Sequence, residues 1–337
     1  MPIVREDLKF YKSAIFNDTV NSGGAPSANL IVDAVSENIF PSVPNAERIS
    51  GSTKYRKVYA KADADGQFTF YNGRFYIENP TVASEMVYVF PASSLIQRQT
   101  DLSGGERLYG CGWLNVTASL GASSIDVLCE SPVVAQRIFA TADAIRISNK
   151  LNIDDTNGTE EYRNVTGVTW SGSTATLTLD APLDNAYSAT AQATRVMSLM
   201  PLGDLKCAFT DFAVVSGGGA YNEVSNPLQF NNRGCTADTW TLTFTSSSVY
   251  SISGAVAGNV GSGNVTTGAT PINASGGNKP YFILPATGFS GSFTTGDTIT
   301  FKTVPAVAGI WFKRIVPPNT PAFTGNKFVF VLDGETD

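Results

Sequence analysis

Apolar and polar residues alternate through most of this chain. Tyr55-Arg56-Lys57-Val58-Tyr59-Ala60-Lys61 alternates with period two, as a half-buried strand does. Asp63-Ala64-Asp65-Gly66 follows as a turn. Phe68-Thr69-Phe70-Tyr71 and Arg74-Phe75-Tyr76-Ile77 read as two strands broken by Asn72-Gly73, the dipeptide best suited to a two-residue hairpin. Met86-Val87-Tyr88-Val89-Phe90 is another strand, stopped by Pro91. These runs predict an antiparallel sandwich.

A new section opens at Gly110-Cys111-Gly112-Trp113-Leu114. Val116, Ala118 and Leu120 alternate, Gly121-Ala122 turns, and Ser124-Ile125-Asp126-Val127-Leu128 returns. Ala144-Ile145-Arg146-Ile147-Ser148 is a strand, and Asp154-Asp155-Thr156-Asn157-Gly158 a polar turn. Residues 163–170 and 174–179 flank Ser171-Gly172-Ser173 as a hairpin. Together they predict a small barrel of roughly 90 residues.

Beyond it, Thr239-Trp240-Thr241-Leu242-Thr243-Phe244-Thr245 alternates most cleanly of all. The stretch from Ser246 to Gly277 is dense in Gly, Ser, Thr and Ala and reads as edge strands and long loops. Ile299-Thr300-Phe301-Lys302-Thr303 closes this block. Two more strands, within 309–316 and 327–332, are expected to pair with the first domain, because chain termini often meet. Helical periodicity never exceeds about ten residues. Its best segments are Asn29 to Ile39 and Pro132 to Phe139. Asn17 to Ser27 is turn chemistry, either an arm laid on a neighbouring subunit or a loop of its own domain.

The expected fold is therefore all-β, built of multidomain antiparallel sandwich and barrel modules. Residues 1–107 form an N-terminal β-sandwich docking domain with an extended arm, joined by 304–337. Residues 108–204 form an inserted small barrel-like domain, and 205–303 a Gly/Ser/Thr-rich β domain.

Composition narrows the function. The 337 residues include no histidine, which removes the commonest general base and the commonest metal ligand. Charged residues make up 15% and the net charge is −6. An ordinary soluble domain is roughly 25% charged, so this surface is better suited to being covered by neighbours. Acidity argues against a nucleic-acid partner. The densest basic spot, Lys54-Tyr55-Arg56-Lys57 with Lys61, is expected to be a solvated strand face. The charged opening after Met1-Pro2 is no secretory signal, and no apolar run is long enough to cross a membrane. Synthesis and folding in a cytoplasm are therefore the default expectation. Cys111, Cys129, Cys207 and Cys235 lack metal-site spacing and are expected as buried free thiols, with one disulfide left open.

Candidate chemistry is thin. Asp154-Asp155 and Glu160-Glu161 are the nearest carboxylate clusters for acid catalysis on a polysaccharide, but they occupy a turn. The run from Asp154 to Glu160 departs from a calcium loop in order and lacks its terminal bidentate Glu. Ser216-Gly217-Gly218-Gly219 lacks the Lys and helix of a phosphate loop. Asn115-Val116-Thr117 and Asn164-Val165-Thr166 are chance glycosylation triplets in a chain expected to have no secretory signal. Tyr71, Tyr76, Tyr221 and Tyr250 could stack on sugars if exposed, though aromatics in alternating strands usually pack the core. No catalytic, cofactor-binding or metal residues are assigned, and no cofactor is expected.

Two sets of residues carry a family resemblance. Ile39-Phe40-Pro41, Ala46-Glu47-Arg48, Gly51 and Tyr55-Arg56-Lys57-Val58-Tyr59, continued by residues 107–114 and 144–148, resemble the opening of a family of tailed-bacteriophage virion proteins. Residues 309–317 and Leu332-Asp333-Gly334-Glu335 resemble its closing strands, while 205–300 match least. The resemblance implies a structural component of a Mu-like or related phage tail or neck, with no catalytic signature. The expected role is a ring or sleeve at the neck, collar or baseplate, localised to the virion. Its partners would be copies of itself and other tail, neck or baseplate proteins. Two other readings stand beside it. One is a receptor- or glycan-binding tail module using the loops of 246–280 against a host surface. The other is a depolymerase.

Overall fold

The computed structural model describes residues 3–336; Met1, Pro2 and Asp337, at the outer limits of the expected first domain, lie outside them. The chain is all-β. Its first strands are β1 (Leu8–Ile15), β2 (Gly23–Leu30), β3 (Ser52–Ala62), β4 (Phe70–Asn79) and β5 (Met86–Pro91), with a turn-and-a-half helix α1 (Asn45–Ser50) before β3. Next come β6 (Cys111–Leu114), β7 (Ser124–Leu128), β8 (Ala144–Ser148), β9 (Glu160–Ser171), β10 (Thr174–Leu179), β11 (Arg195–Ser198) and β12 (Met200–Leu205). A further group holds β13 (Ala208–Val215), β14 (Gly219–Tyr221), β15 (Asp238–Phe244), β16 (Val249–Gly254), β17 (Gly258–Asn264), β18 (Ile272–Asn273), β19 (Lys279–Pro280), β20 (Phe289–Gly291) and β21 (Thr298–Val304). β22 (Val307–Val316) and β23 (Val329–Thr336) end the chain.

Five strands form an antiparallel sheet in the order β2-β1-β3-β22-β5. β22, from the far end of the chain, lies between β3 and β5, with Trp311 opposite both Lys57 and Phe90. A second layer, β12-β4-β23, covers one face. Phe75 of β4 meets Phe312 of β22 edge-on at 5.7 Å, and Phe10 of β1 meets Phe330 of β23 at 5.1 Å. Alternation then sorts the opposite side chains outward: Val87 and Val89 join this core, whereas Met86, Tyr88, Phe90 and Trp311 join the core of the barrel. A strand buried on both faces must read as continuously apolar, as Met86 to Phe90 does.

β6 to β11 close a barrel in the order β10-β7-β6-β11-β8-β9. Ile125, Val127, Ile145, Ile147, Ala175, Leu177 and Val196 fill it. The third group builds a sheet β13-β21-β15-β16-β17, whose buried face carries Trp240, Leu242, Phe244, Tyr250, Ile299 and Phe301. The stretch 246–277, expected as edge strands and loops, supplies β16, β17 and β18.

Four local expectations are corrected. Asn72-Gly73 makes no hairpin: β4 runs unbroken from Phe70 to Asn79. Asn72 does adopt the left-handed conformation, φ 52°, but as an irregularity beside Gly203 (φ 70°) of β12. The pairing register of β12 shifts there, and a Cβ on Gly73 would stand 2.9 Å from the Gly203 carbonyl oxygen. Neither helix candidate is an α-helix. Asn29 to Ile39 is the end of β2 followed by turns, and Pro132 to Phe139 contains only a three-residue 3-10 turn, Val134–Gln136. In both segments the buried residues, Ile39 and Ile138 with Phe139, sit only at the far end, so no apolar stripe runs along a helix. Val116 and Leu120 are exposed, and only Ala118 bridges to another segment, at Tyr187.

The basic face is the fourth. Arg56 and Lys57 are buried, not solvated. The Lys57 ammonium lies in a cage of carbonyl oxygens from Ser94 (2.8 Å), Leu95 (3.1 Å), Gln97 (3.1 Å) and Gly24 (3.4 Å). Arg56 binds the Asn17 carbonyl at 2.6 Å and the Asp18 carboxylate, and lies over the Phe16 and Phe40 rings. These contacts hold Asn17 to Ser27 against its own sheet, where β2 pairs with β1.

The outer strands of the larger open sheets are irregular or bridged, whereas the two-stranded pairs β14-β20 and β18-β19 keep a regular register. β2 carries Pro26 and two register shifts, and β12 carries Pro201 and Gly203. β13 shifts between Thr210 and Ala213, β17 opposite Ile252 and Ser253, and β23 twice. β5 is capped by a two-way bridge between Val89 and Tyr109.

Candidate functional site

The carboxylates singled out from the sequence serve separate local partners. Asp154 is exposed and pairs with Arg5 at 2.9 Å. Asp155 accepts from the Leu151 and Asn157 amides, at 2.8 and 2.9 Å, which hold it below the usual carboxylate range. Glu160 binds Arg146 (2.5 Å) and Lys150 (2.6 Å), while Glu161, on the opposite face of β9, binds Arg163 at 2.6 Å. Among the described residues no group of three or more His, Cys, Asp or Glu side chains is gathered to hold a metal. Of the four tyrosines, Tyr71 is exposed; Tyr76, Tyr221 and Tyr250 are buried. Ser216 turns its hydroxyl back to accept from Gly218 and Gly219 and donates to Asp297 at 2.7 Å. All four cysteines are buried and free.

What the fold does assemble are two charged seams. Arg146 of β8, fully buried, reaches out of the barrel to Glu78 of β4 at 3.1 Å and lies 5.5 Å from the Tyr76 ring. Arg195 of β11 donates to the Glu78 backbone carbonyl at 3.2 Å. Burial opposes the charge of Glu160, but its hydrogen bonds to Lys150 and Arg146 outweigh this and keep it below the ordinary range. The second seam joins the third sheet group to the turn after β3. Asp63 binds Lys9 and Lys61, each at 2.7 Å, and its backbone carbonyl accepts from Arg233 at 3.1 Å. Asn231 and Lys279 both bind Asp65, at 2.9 and 2.7 Å, and the Phe230 amide donates to Gln67 at 2.9 Å. Breaking the Arg146–Glu78 pair would strand a buried charge, whereas Arg233, Asp65 and Lys279 of the second seam are partly exposed.

Three surface segments each carry an exposed apolar side chain. The Asn319 amide donates to the Ile49 carbonyl of α1 at 3.3 Å, and Thr320 to that of Arg48 at 3.0 Å. Asn326 Oδ1 accepts from Val82 (3.1 Å) and Ala83 (3.3 Å), and its amide donates to Glu85 at 2.5 Å. Ile49 (58% exposed) and Val82 (69%) thus flank the two ends of the 319–326 loop, which itself exposes Phe323 (53%). Sequence reading missed them, since they lie in segments with no periodic pattern. A shallow polar groove of about 490 Å³ lies elsewhere, between β16, β17 and the following turn, lined by Ser262, Asn264, Thr267 and Thr270.

No protein-family model matches the chain, and no curated protein matches it.

Proposed function

We propose that the chain is a structural component of a tailed-bacteriophage virion that acts by association, forming a ring or sleeve at the neck, collar or baseplate. It catalyses no reaction in this reading. The observation that carries the reading is the exposure of Ile49, Val82 and Phe323 on and beside a loop tied down at both ends. Large apolar side chains are held out to solvent there, in a chain with little charge to repel a neighbour. The resemblance of residues 39–59 and 309–317 to phage virion proteins supports the same role.

Sedimentation velocity over a wide concentration range tests it, with negative-stain imaging of the larger species. Closed oligomers are expected, and Phe323→Asp should shift them toward monomer. A wild-type protein that stays monomeric throughout and binds no phage tail component overturns the proposal. The polar groove favours a second reading, a glycan-binding tail module. Its Ser, Asn and Thr side chains suit sugar hydroxyls, and a glycan array with the Asn264→Ala variant as control separates the two.

A further inference from the structure

Two thiols meet where the third sheet group leaves the first. Cys207 occupies the short step between β12 and β13, and Cys235 the loop between β14 and β15. Both are buried. Cys235 Sγ lies 3.7 Å from the Val304 carbonyl oxygen, and Val304 pairs with Ala208, the neighbour of Cys207. The Cys207 and Cys235 side chains act on each other, and the Ala306 amide acts on Cys207. Both thiols therefore sit side by side next to residues 304–306. The Lys61 ammonium acts on both, and its Nζ lies 3.4 Å from the Arg233 carbonyl in the same loop.

This arrangement divides the labour of the two sulfurs. Its neighbour Cys235 pulls the Cys207 thiol below its ordinary range; burial opposes this, and the Ala306 amide and Lys61 add to it. Cys235, beside Cys207 and buried, is pushed well above. A thiolate forms first on Cys207, and the thiolate is the nucleophile. Cys111 and Cys129 provide the contrast. Burial drives both upward, and their nearest hydrogen-bond acceptors are the backbone carbonyls of Gly112 (3.5 Å) and Val127 (3.9 Å).

We propose that Cys207 and Cys235 are a preformed dithiol that closes to an intramolecular disulfide on meeting a small disulfide oxidant such as oxidised glutathione. The Cys207 thiolate attacks one sulfur of the oxidant, forming a mixed disulfide and expelling glutathione thiolate, which takes up a proton. Cys235 then gives up its proton and attacks the Cys207 sulfur, expelling the second glutathione. Two protein thiols are oxidised and one oxidant disulfide is reduced to two thiols. The bond staples the step from β12 into β13 to the loop of Asn231, Asn232 and Arg233. That loop is the one docked on residues 63–68. Passage from a reducing cell to an oxidising exterior would thus fasten the second seam covalently.

The test uses the full chain, prepared reduced, treated with oxidised glutathione under native conditions, alkylated, and mapped by non-reducing peptide mass spectrometry. The expected product has lost two hydrogens and joins the peptides of Cys207 and Cys235, with Cys111 and Cys129 alkylated after denaturation. In Cys235→Ser a lasting glutathione adduct should stay on Cys207; in Cys207→Ser neither adduct nor bridge should form. Absence of the bridge, a bridge through Cys111 or Cys129, or a persistent adduct on wild-type Cys207 overturns the proposal. The wild-type map decides even if a serine variant folds poorly.

Discussion

Replacing Glu130 by Gln should stabilise the protein at pH 8 and do little at pH 4.5. Glu130 follows β7 and is half-buried. No described residue gives its carboxylate a hydrogen bond or an opposing charge, and Glu85 adds a like one. Burial first, and Glu85 second, push it from 4.5 to about 8. Between those values the folded chain keeps a proton that the unfolded chain has released. Stability therefore falls as pH rises through this window, and is unaffected by this group below it. The full displacement corresponds to about 4 kcal/mol at pH 8. Solvent relaxation around a half-buried group reduces this to roughly 2 kcal/mol. Glutamine keeps the shape and cannot ionise. Urea unfolding of wild type and Glu130→Gln, followed through Trp113 and Trp170 of the barrel, should show the variant gaining at the alkaline end, with a flatter pH profile. Equal gains at both ends, or a loss at pH 8, would refute the argument that an unpaired charge sits there.

Other outcomes follow from the same geometry. Arg146→Met leaves Glu78 buried and unpaired, so it should cost about 3–5 kcal/mol, and adding Glu78→Gln should recover part of that in a double-mutant cycle. Gly234→Ala would place a Cβ 2.2 Å from the Pro280 carbonyl oxygen, backbone against backbone. It should destabilise by about 1–3 kcal/mol and speed proteolysis of the 231–237 loop. Above pH 9 stability should fall, because burial raises Cys129, Tyr11 and Tyr221 to about 12, and the unfolded chain loses those protons first. An alkaline denaturation series that is flat to pH 11 would contradict this.

Alternation made the strands legible wherever one face meets a core and the other meets water or a second core. Thr239 to Thr245 and Thr174 to Leu179 are of this kind, and both lie in strands. It misled where a local signal has two structural uses. Asn72-Gly73 supplies a left-handed residue, which serves a bulge as well as a hairpin, and only the neighbouring β12 decides between them. The charges of Arg56 and Lys57 announced solvent, because the carbonyls and rings that satisfy them come from residues 16–24, 40 and 94–97. The exposed Ile49, Val82 and Phe323 were illegible for a related reason. They come from three segments that have no pattern alone, and tethers from Asn319, Thr320 and Asn326 hold these loops in place. The pairing of Cys207 with Cys235 likewise depends on where β21 and β22 bring Val304 and Ala306.

The prolines and register breaks on the outer strands have a consequence for crowded conditions. Along the larger sheets a neighbour finds no smooth edge on which to zip its backbone, so copies should meet through side chains on loops and faces. Such contacts tolerate small changes of angle and come apart without unravelling a ladder. The protein should therefore stay free of fibrils at concentrations where a smooth-edged β chain of similar composition would seed them, a difference that thioflavin fluorescence reads directly.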